Sequence, residues 1–315
     1  MQLSRGYFTR LVIDEETSFN EIPTTKAGKI MPFNKLELAS EQTMINPATI
    51  TGTRNAVEPA RGHVTAGGSV TIPVDSTAIG HWLKGIFNAP ATTEDSDTGK
   101  YKHVFSITNN QPSLCITKEF PDIGQYFTYT GVKIGSFSCT FGDDGELTAN
   151  MDLLGCDEVI SSEQYDKAAT EAKLSRLNNF ACELKVDGSK VANVSTLDLK
   201  LDMGLDDSIY TLGHKGRGAI PEGLVQVSGT IHSLFTDTEL LQKGIDATPI
   251  DLELVLTNSS DSLVIKMDEA QISRTSPAIS GPAGVSVDID FVAYYKNSVD
   301  KSSIVIELTN SVEEY

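Results

Sequence analysis

A chain of 315 residues with 43 acidic and 25 basic side chains carries a formal net charge of -18, and 39% of its residues are hydrophobic. The length fits about two domains, each large enough to bury its own core. A surface this negative repels nucleic acid phosphates and anionic lipid, and no stretch reaches the ~18–20 apolar residues of a membrane span.

The chain opens on Met1-Gln-Leu-Ser-Arg-Gly-Tyr-Phe, which lacks the apolar region of a signal peptide. Period-2 alternation then dominates. Residues 64–74 read as a glycine-containing strand. Residues 76–87 read as a helix, with Asp75 or Ser76 as its cap and Ile79, Trp82, Leu83 and Ile86 on one apolar face. The polar run 91–100 reads as a long exposed loop. Strands are predicted at 101–107, 113–117 and 126–141, the last bent at Gly131 or Gly135. The turn Gly142-Asp-Asp-Gly145 leads into a hairpin partner at 145–154. Residues 161–177, rich in Glu, Lys and Ala, read as a helical or loose linker. Further strands follow at 197–203, 224–235, 250–256, 262–272, 285–294 and 304–308. A second helix is expected at 236–245, opened by the capping box Thr236-Asp-Thr-Glu239.

The two helices invite superposition of the halves. A shift of 161 aligns residues 29–70 with 190–231 without a gap. Leu36 and Leu38 then meet Leu197 and Leu199, Gly52 meets Gly213, and Val70 meets Ile231. A shift of 138 aligns 112–155 with 250–293, where Ile134 meets Ile272 and Asp152 meets Asp290. Strand phase is kept throughout, and phase matters because a one-residue slip moves every side chain to the other face. The expected organisation is two tandem β-rich domains, residues 1–160 and 179–315, joined by a linker at 161–178. Each domain carries one short helix.

Catalytic and metal signatures are missing. The histidines (His63, His81, His103, His214 and His232) show no HxH or HExxH spacing, and no GxSxG motif is present. The glycine-rich segment 213–218 lacks the Walker spacing. Asp95-Ser-Asp97-Thr-Gly99 departs from a calcium loop at its third ligand, and Asp143 and Asp144 sit where a turn favours Asp. No enzyme activity and no cofactor are expected. Cys115, Cys139, Cys156 and Cys182 show no CxxC spacing and read as buried free thiols.

Two loops stand out. Residues 46–61 and 206–222 occupy equivalent places in the two copies, and each bears cations (Arg54 and Arg61; Lys215 and Arg217) in an otherwise acidic chain. Cationic arms on an anionic body make a self-complementary pattern, able to set the register between neighbouring copies.

The first half also resembles the tail tube proteins of long-tailed, non-contractile bacteriophages. The likeness runs through Thr49-Ile-Thr-Gly-Thr-Arg54, Gly67-Gly-Ser-Val-Thr-Ile-Pro-Val74, Ile79-Gly-His-Trp-Leu83, Tyr101-Lys-His-Val-Phe105 and Phe141-Gly-Asp-Asp-Gly-Glu-Leu147. It covers residues 36–158 directly and the remainder through the repeat. The resemblance implies a mainly β fold of two tandem sandwich or barrel domains, related to the tube protein of type VI secretion. It also implies a structural virion protein in the phage tail, built in the host cytoplasm, whose rings stack into a hollow conduit for DNA. With two domains per chain, the ring would be a trimer of pseudo-sixfold symmetry. The implied partners are further copies of the chain, the tape measure protein and tail-end proteins, with DNA passing unbound and no membrane contact. Glu146, Asp152, Asp288 and Asp290 are the candidate lumen-facing acids. Another tail or secretion-tube component (a distal tail or terminator protein) and a β-sandwich host-surface binding module are the rival readings.

Overall fold

The computed structural model describes residues 3–258, 261–279, 281–282, 284–296 and 301–315. The first half holds β1 (Arg10–Glu15), β2 (Lys29–Met31), β3 (Lys35–Leu36), β4 (Ala39–Ile45) and β5 (Ala60–Pro73), then helix α1 (Ile79–Phe87). It continues with β6 (Ala91–Asp95), β7 (Lys100–Ser106), β8 (Leu114–Phe120), β9 (Gln125–Phe141), β10 (Thr148–Gly155) and β11 (Asp157–Ser161). Strand β12 (Thr170–Glu171) lies in the connection. The second half holds β13 (Cys182–Val186), β14 (Ser189–Lys190), β15 (Val194–Asp202), β16 (Gln226–Leu234), α2 (Glu239–Ile245), β17 (Ile250–Asn258), β18 (Asp261–Ile272), β19 (Ser286–Ala293) and β20 (Val305–Asn310). The fold is mainly β with two helices, as the alternation predicts.

Each half is two sheets sharing one long strand. The N-terminal part of β9 lies between β8 and β11, and its C-terminal part joins β10. The strand changes sheets near Gly131, whose φ of +62° suits glycine; a Cβ there would meet Cys156 Sγ at 2.7 Å. In the second half β18 plays the same part, lying between β17 and β20 and joining β19 at its end.

The registers of the halves coincide. Leu36 faces Val70 and Ala39 faces Gly67; Leu197 faces Ile231 and Lys200 faces Ser228, at a constant offset of 161. Ile134 faces Leu153, and Ile272 faces Phe291, at an offset of 138. Strands also cross between the halves. β9 pairs with β15 from Phe141↔Leu197 to Ser136↔Asp202, and β20 pairs with β7. A single hydrophobic cluster accordingly draws on both halves, including Trp82, Phe105 and Val132 with Leu199, Ile265 and Leu308.

Helix α1 buries Ile79, Trp82, Leu83, Ile86 and Phe87. Asp75 Oδ1 accepts the amides of Thr77 (2.6 Å) and Ala78 (2.5 Å), so the expected cap forms ahead of the helix. At α2 the capping box is not made. Asp237 Oδ1 accepts the Glu239 amide at 3.1 Å, and the Thr236 hydroxyl instead meets Asn193 Nδ2 at 2.8 Å. The expected long loop at 91–100 is partly a strand, because β6 pairs with β7 around a turn held by Asp95. The expected linker contains no helix. Tyr165 and Leu177 are buried, β12 runs parallel to β2, and the Ser175 carbonyl accepts the Ser76 amide at 2.7 Å. These anchors hold extended backbone where composition alone favours a helix.

Candidate assembly surface

Strands β5, β10, β9, β15, β16 and β19 hydrogen-bond in that order. Alternation gives this continuous sheet two unlike faces. One face buries Val70, Met151, Cys139, Leu199, Ile231 and Ile289 in the core. The other carries Ser69, Asp152, Ser138, Asp198, Thr230 and Asp290.

The carboxylates on the polar face are held by neutral donors on neighbouring strands. Ser136 Oγ donates to Asp152 (2.7 Å), Thr140 Oγ1 to Asp198 (2.6 Å) and Thr230 Oγ1 to Asp290 (2.7 Å). A hydroxyl orients an anion without cancelling its charge, so the face stays negative. His232 is the exception. Its ring lies between Asp198 (3.0 Å) and Asp288 (2.8 Å), and hydrogen bonds to Asp198 and then Asp288 raise its pKa above the usual histidine value. The Asp198 carboxyl is held below the usual range, first by the Thr140 hydroxyl and then by His232.

The structure thus brings Asp152, Asp288 and Asp290 together on one exposed face. Glu146 differs. It lies in the turn before β10 rather than on a strand, bonded to Arg176 and to Asn34 Nδ2 (2.7 Å), so its charge is matched within the chain. Asp198, Asp202 and His232 were not singled out by sequence, although alternation across 197–203 places Asp198 and Asp202 together on the polar side.

Arg54, Arg61 and Lys215 are exposed. Arg217 is not a reaching arm: it is 4% exposed. Its guanidinium donates to the carbonyls of Ala66 (2.6 Å), Gly155 (2.9 Å) and Asp207 (2.7 Å), and pairs with the Asp207 carboxylate at 2.9 Å. Loop 206–222 moreover packs on β5 inside the same chain. The Val64 amide donates to the Lys215 carbonyl at 2.9 Å, and the rings of His63 and Tyr210 stack at 4.2 Å. Loop 206–222 folds back on the base of the β4–β5 hairpin because Gly216 lets its backbone approach Cys156, where a Cβ would lie 2.1 Å from the Cys156 carbonyl oxygen.

Cys115, Cys139 and Cys156 are buried and Cys182 is half-buried, all with free thiols. Burial pushes the Cys115 and Cys156 thiols up to about 12. Among the described residues no cluster of His, Cys, Asp and Glu is arranged to hold a metal ion, and no helix is long and apolar enough to cross a membrane.

A family model described as phage tail tube protein matches residues 8–293. The chain belongs to the phage tail tube protein family. The match spans both halves and the connection between them, so the tail tube assignment extends past the segment of direct resemblance at 36–158. No curated protein matches the chain. As a tail tube protein it has a structural role in the virion tail.

Proposed function

We propose that three chains close into a ring of pseudo-sixfold symmetry, and that the rings stack into the hollow tube that conducts DNA into the host cell. The observation that carries this reading is the acidic polar face of the sheet running from β5 to β19. If three such faces, one from each chain, line a channel, Asp152, Asp198, Asp202, Asp288 and Asp290 present fixed negative charge to a passing phosphate backbone. Like charges keep the polymer from adhering, which suits a conduit and not a binding protein. Closure of the ring also removes the exposed edges that an open sheet leaves as aggregation hazards. In this reading Arg54, Arg61 and Lys215 face neighbouring rings. The tape measure protein and tail-end proteins are the further partners, and assembly takes place in the host cytoplasm.

Negative-stain electron microscopy of purified protein, with class averages of end-on views, tests the proposal. Annular particles with a central hole and three chains per ring are expected. A ring of six whole chains would refute the trimer, and monomers that join neither rings nor purified tails would refute the assembly.

A further inference from the structure

The pairing of β9 with β15 joins the two halves within one chain, and the repeat makes its counterpart identifiable. The offset of 161 makes residues 36–41 the equivalents of 197–202. The offset of 138 makes residues 274–279 the equivalents of 136–141. Within the chain, β3 and β4 pair with β5 on one side, and residues 274–279 follow β18 with no ladder partner among the described residues. We infer that residues 274–279 of one chain add as a strand to residues 36–41 of a second copy, in the register of the β9–β15 seam. This rests on the ring assembly proposed above.

The seam within the chain pairs Phe141↔Leu197, Thr140↔Asp198, Cys139↔Leu199 and Ser136↔Asp202. Transposed, it sets Ile279 opposite Leu36, Ala278 opposite Glu37, Pro277 opposite Leu38 and Arg274 opposite Glu41. Three features of these residues fit the transposition.

The faces agree. Leu36, Leu38 and Ser40 are less exposed than Glu37, Ala39 and Glu41, and Thr275 and Pro277 are less exposed than Arg274, Ser276 and Ala278. Ile279 is 82% exposed in the single chain, whereas its counterpart Phe141 is buried against the seam. Adding the strand removes that apolar side chain from water.

The charges agree. Glu41 and Arg274 are exposed and form no ion pair among the described residues, and the transposed register puts them directly opposite each other. Opposite charges facing each other across strands favour that register over its neighbours.

The backbone agrees as well. The Glu37 amide donates to Ser69 at 2.7 Å, so the alternating groups of Leu38 point to the free edge. There the Leu38 carbonyl already accepts Lys118 Nζ at 2.8 Å. An ordinary residue opposite would bring an N–H that has to share this oxygen with the lysine. Pro277 has no N–H to bring, and its carbonyl remains to accept the Leu38 amide.

Cysteine cross-linking of the full chain tests the register. Glu37 and Ala278 take the places of Asp198 and Thr140, whose side chains touch within the chain. Mild oxidation of the Glu37→Cys/Ala278→Cys variant should give covalent chain-to-chain products. The out-of-register Glu37→Cys/Ser276→Cys variant should give roughly tenfold less, because a diagonal pair at ~7–8 Å is too far apart for a disulfide. Glu41→Arg should abolish ring formation, and Glu41→Arg/Arg274→Glu should restore it. Rings seen by microscopy without the in-register cross-link, or equal cross-linking in both registers, would overturn the seam while leaving ring assembly intact. Loss of rings and cross-links in every variant, with wild-type protein also failing to form rings, would overturn both.

Discussion

The guanidinium of Arg217, in the second half, lies 2.9 Å from the carbonyl of Gly155, the last residue of a first-half strand. It also serves Ala66 on the adjoining strand, so one side chain ties the middle of β5 to the end of β10. Arg217→Met removes a buried cation and takes the donor from three carbonyls, those of Ala66 and Gly155 buried, which should cost about 2–4 kcal/mol. Chemical denaturation measures this. A loss under about 0.5 kcal/mol would show that water replaces the guanidinium there.

His232 should titrate above the ordinary value near 6.5. Its folded pKa is raised, so its contribution to stability is complete below about 6.5 and is lost as pH rises through the folded value. NMR titration of the ring reads the midpoint directly. In parallel, wild-type protein should lose stability relative to His232→Gln as pH is raised from mildly acidic to mildly basic. A midpoint at or below 6.5 would mean that the two carboxylates do not hold the ring.

Asp75→Ala should lower stability by about 1 kcal/mol through loss of the α1 cap, while Asp75→Asn should be tolerated. Asn keeps the accepting oxygen, and it removes a charge that burial already disfavours, since desolvation raises the Asp75 pKa. Thermal melts of the two variants separate capping from charge. Equal destabilisation would point to the carboxylate itself.

Gly80→Ala should be more damaging than an ordinary helix substitution. A Cβ at Gly80 would lie 2.2 Å from the Tyr315 ring, whose hydroxyl donates to the Thr77 carbonyl at 2.7 Å. Overpacking of this kind costs about 1–3 kcal/mol, against the fraction of a kcal/mol that Ala ordinarily gains in a helix. Tyr fluorescence together with a thermal melt would register displacement of the ring, and an unchanged melt would show that Tyr315 moves freely.

Replacing Asp152, Asp198 and Asp290 together with Lys should convert the polar face of assembled tubes from repelling DNA to holding it. Binding should weaken steeply with added salt. A filter-binding assay across ionic strength measures it. Tubes that bind DNA no better than wild type at low salt would show that the charge of this face does not govern how the tube meets DNA.

The alternation of Leu197, Leu199 and Leu201 with Asp198, Lys200 and Asp202 made both faces of β15 legible, as did the equivalent pattern at 287–291. Offsets read from isolated matches such as Ile134 with Ile272 reappear as strand registers, because a repeat that conserves phase must conserve pairing. Arg217 was misread since a glycine-rich basic segment looks like an exposed loop until a distant partner, here the end of β10, covers it. Of the two readings of residues 161–177, helical or loose, the helix is absent for a related reason: contacts from Val74, Ser76 and β2 outweigh its propensity. Glu146 was assigned to a strand face because the turn at 142–145 was read as ending a few residues too early.

Strand β20 has a consequence for the order in which the protein is made. It fills an edge of β7, and His103 on β7 bonds the Val312 carbonyl 209 residues further along the chain. During synthesis the first half therefore emerges with β7 unpaired on that side, and it stays so until β20 leaves the ribosome. A contact of such sequence separation is slow to form. Closure of that edge of β7 therefore waits on residues 305–310, and the first half cannot complete its sheet on its own.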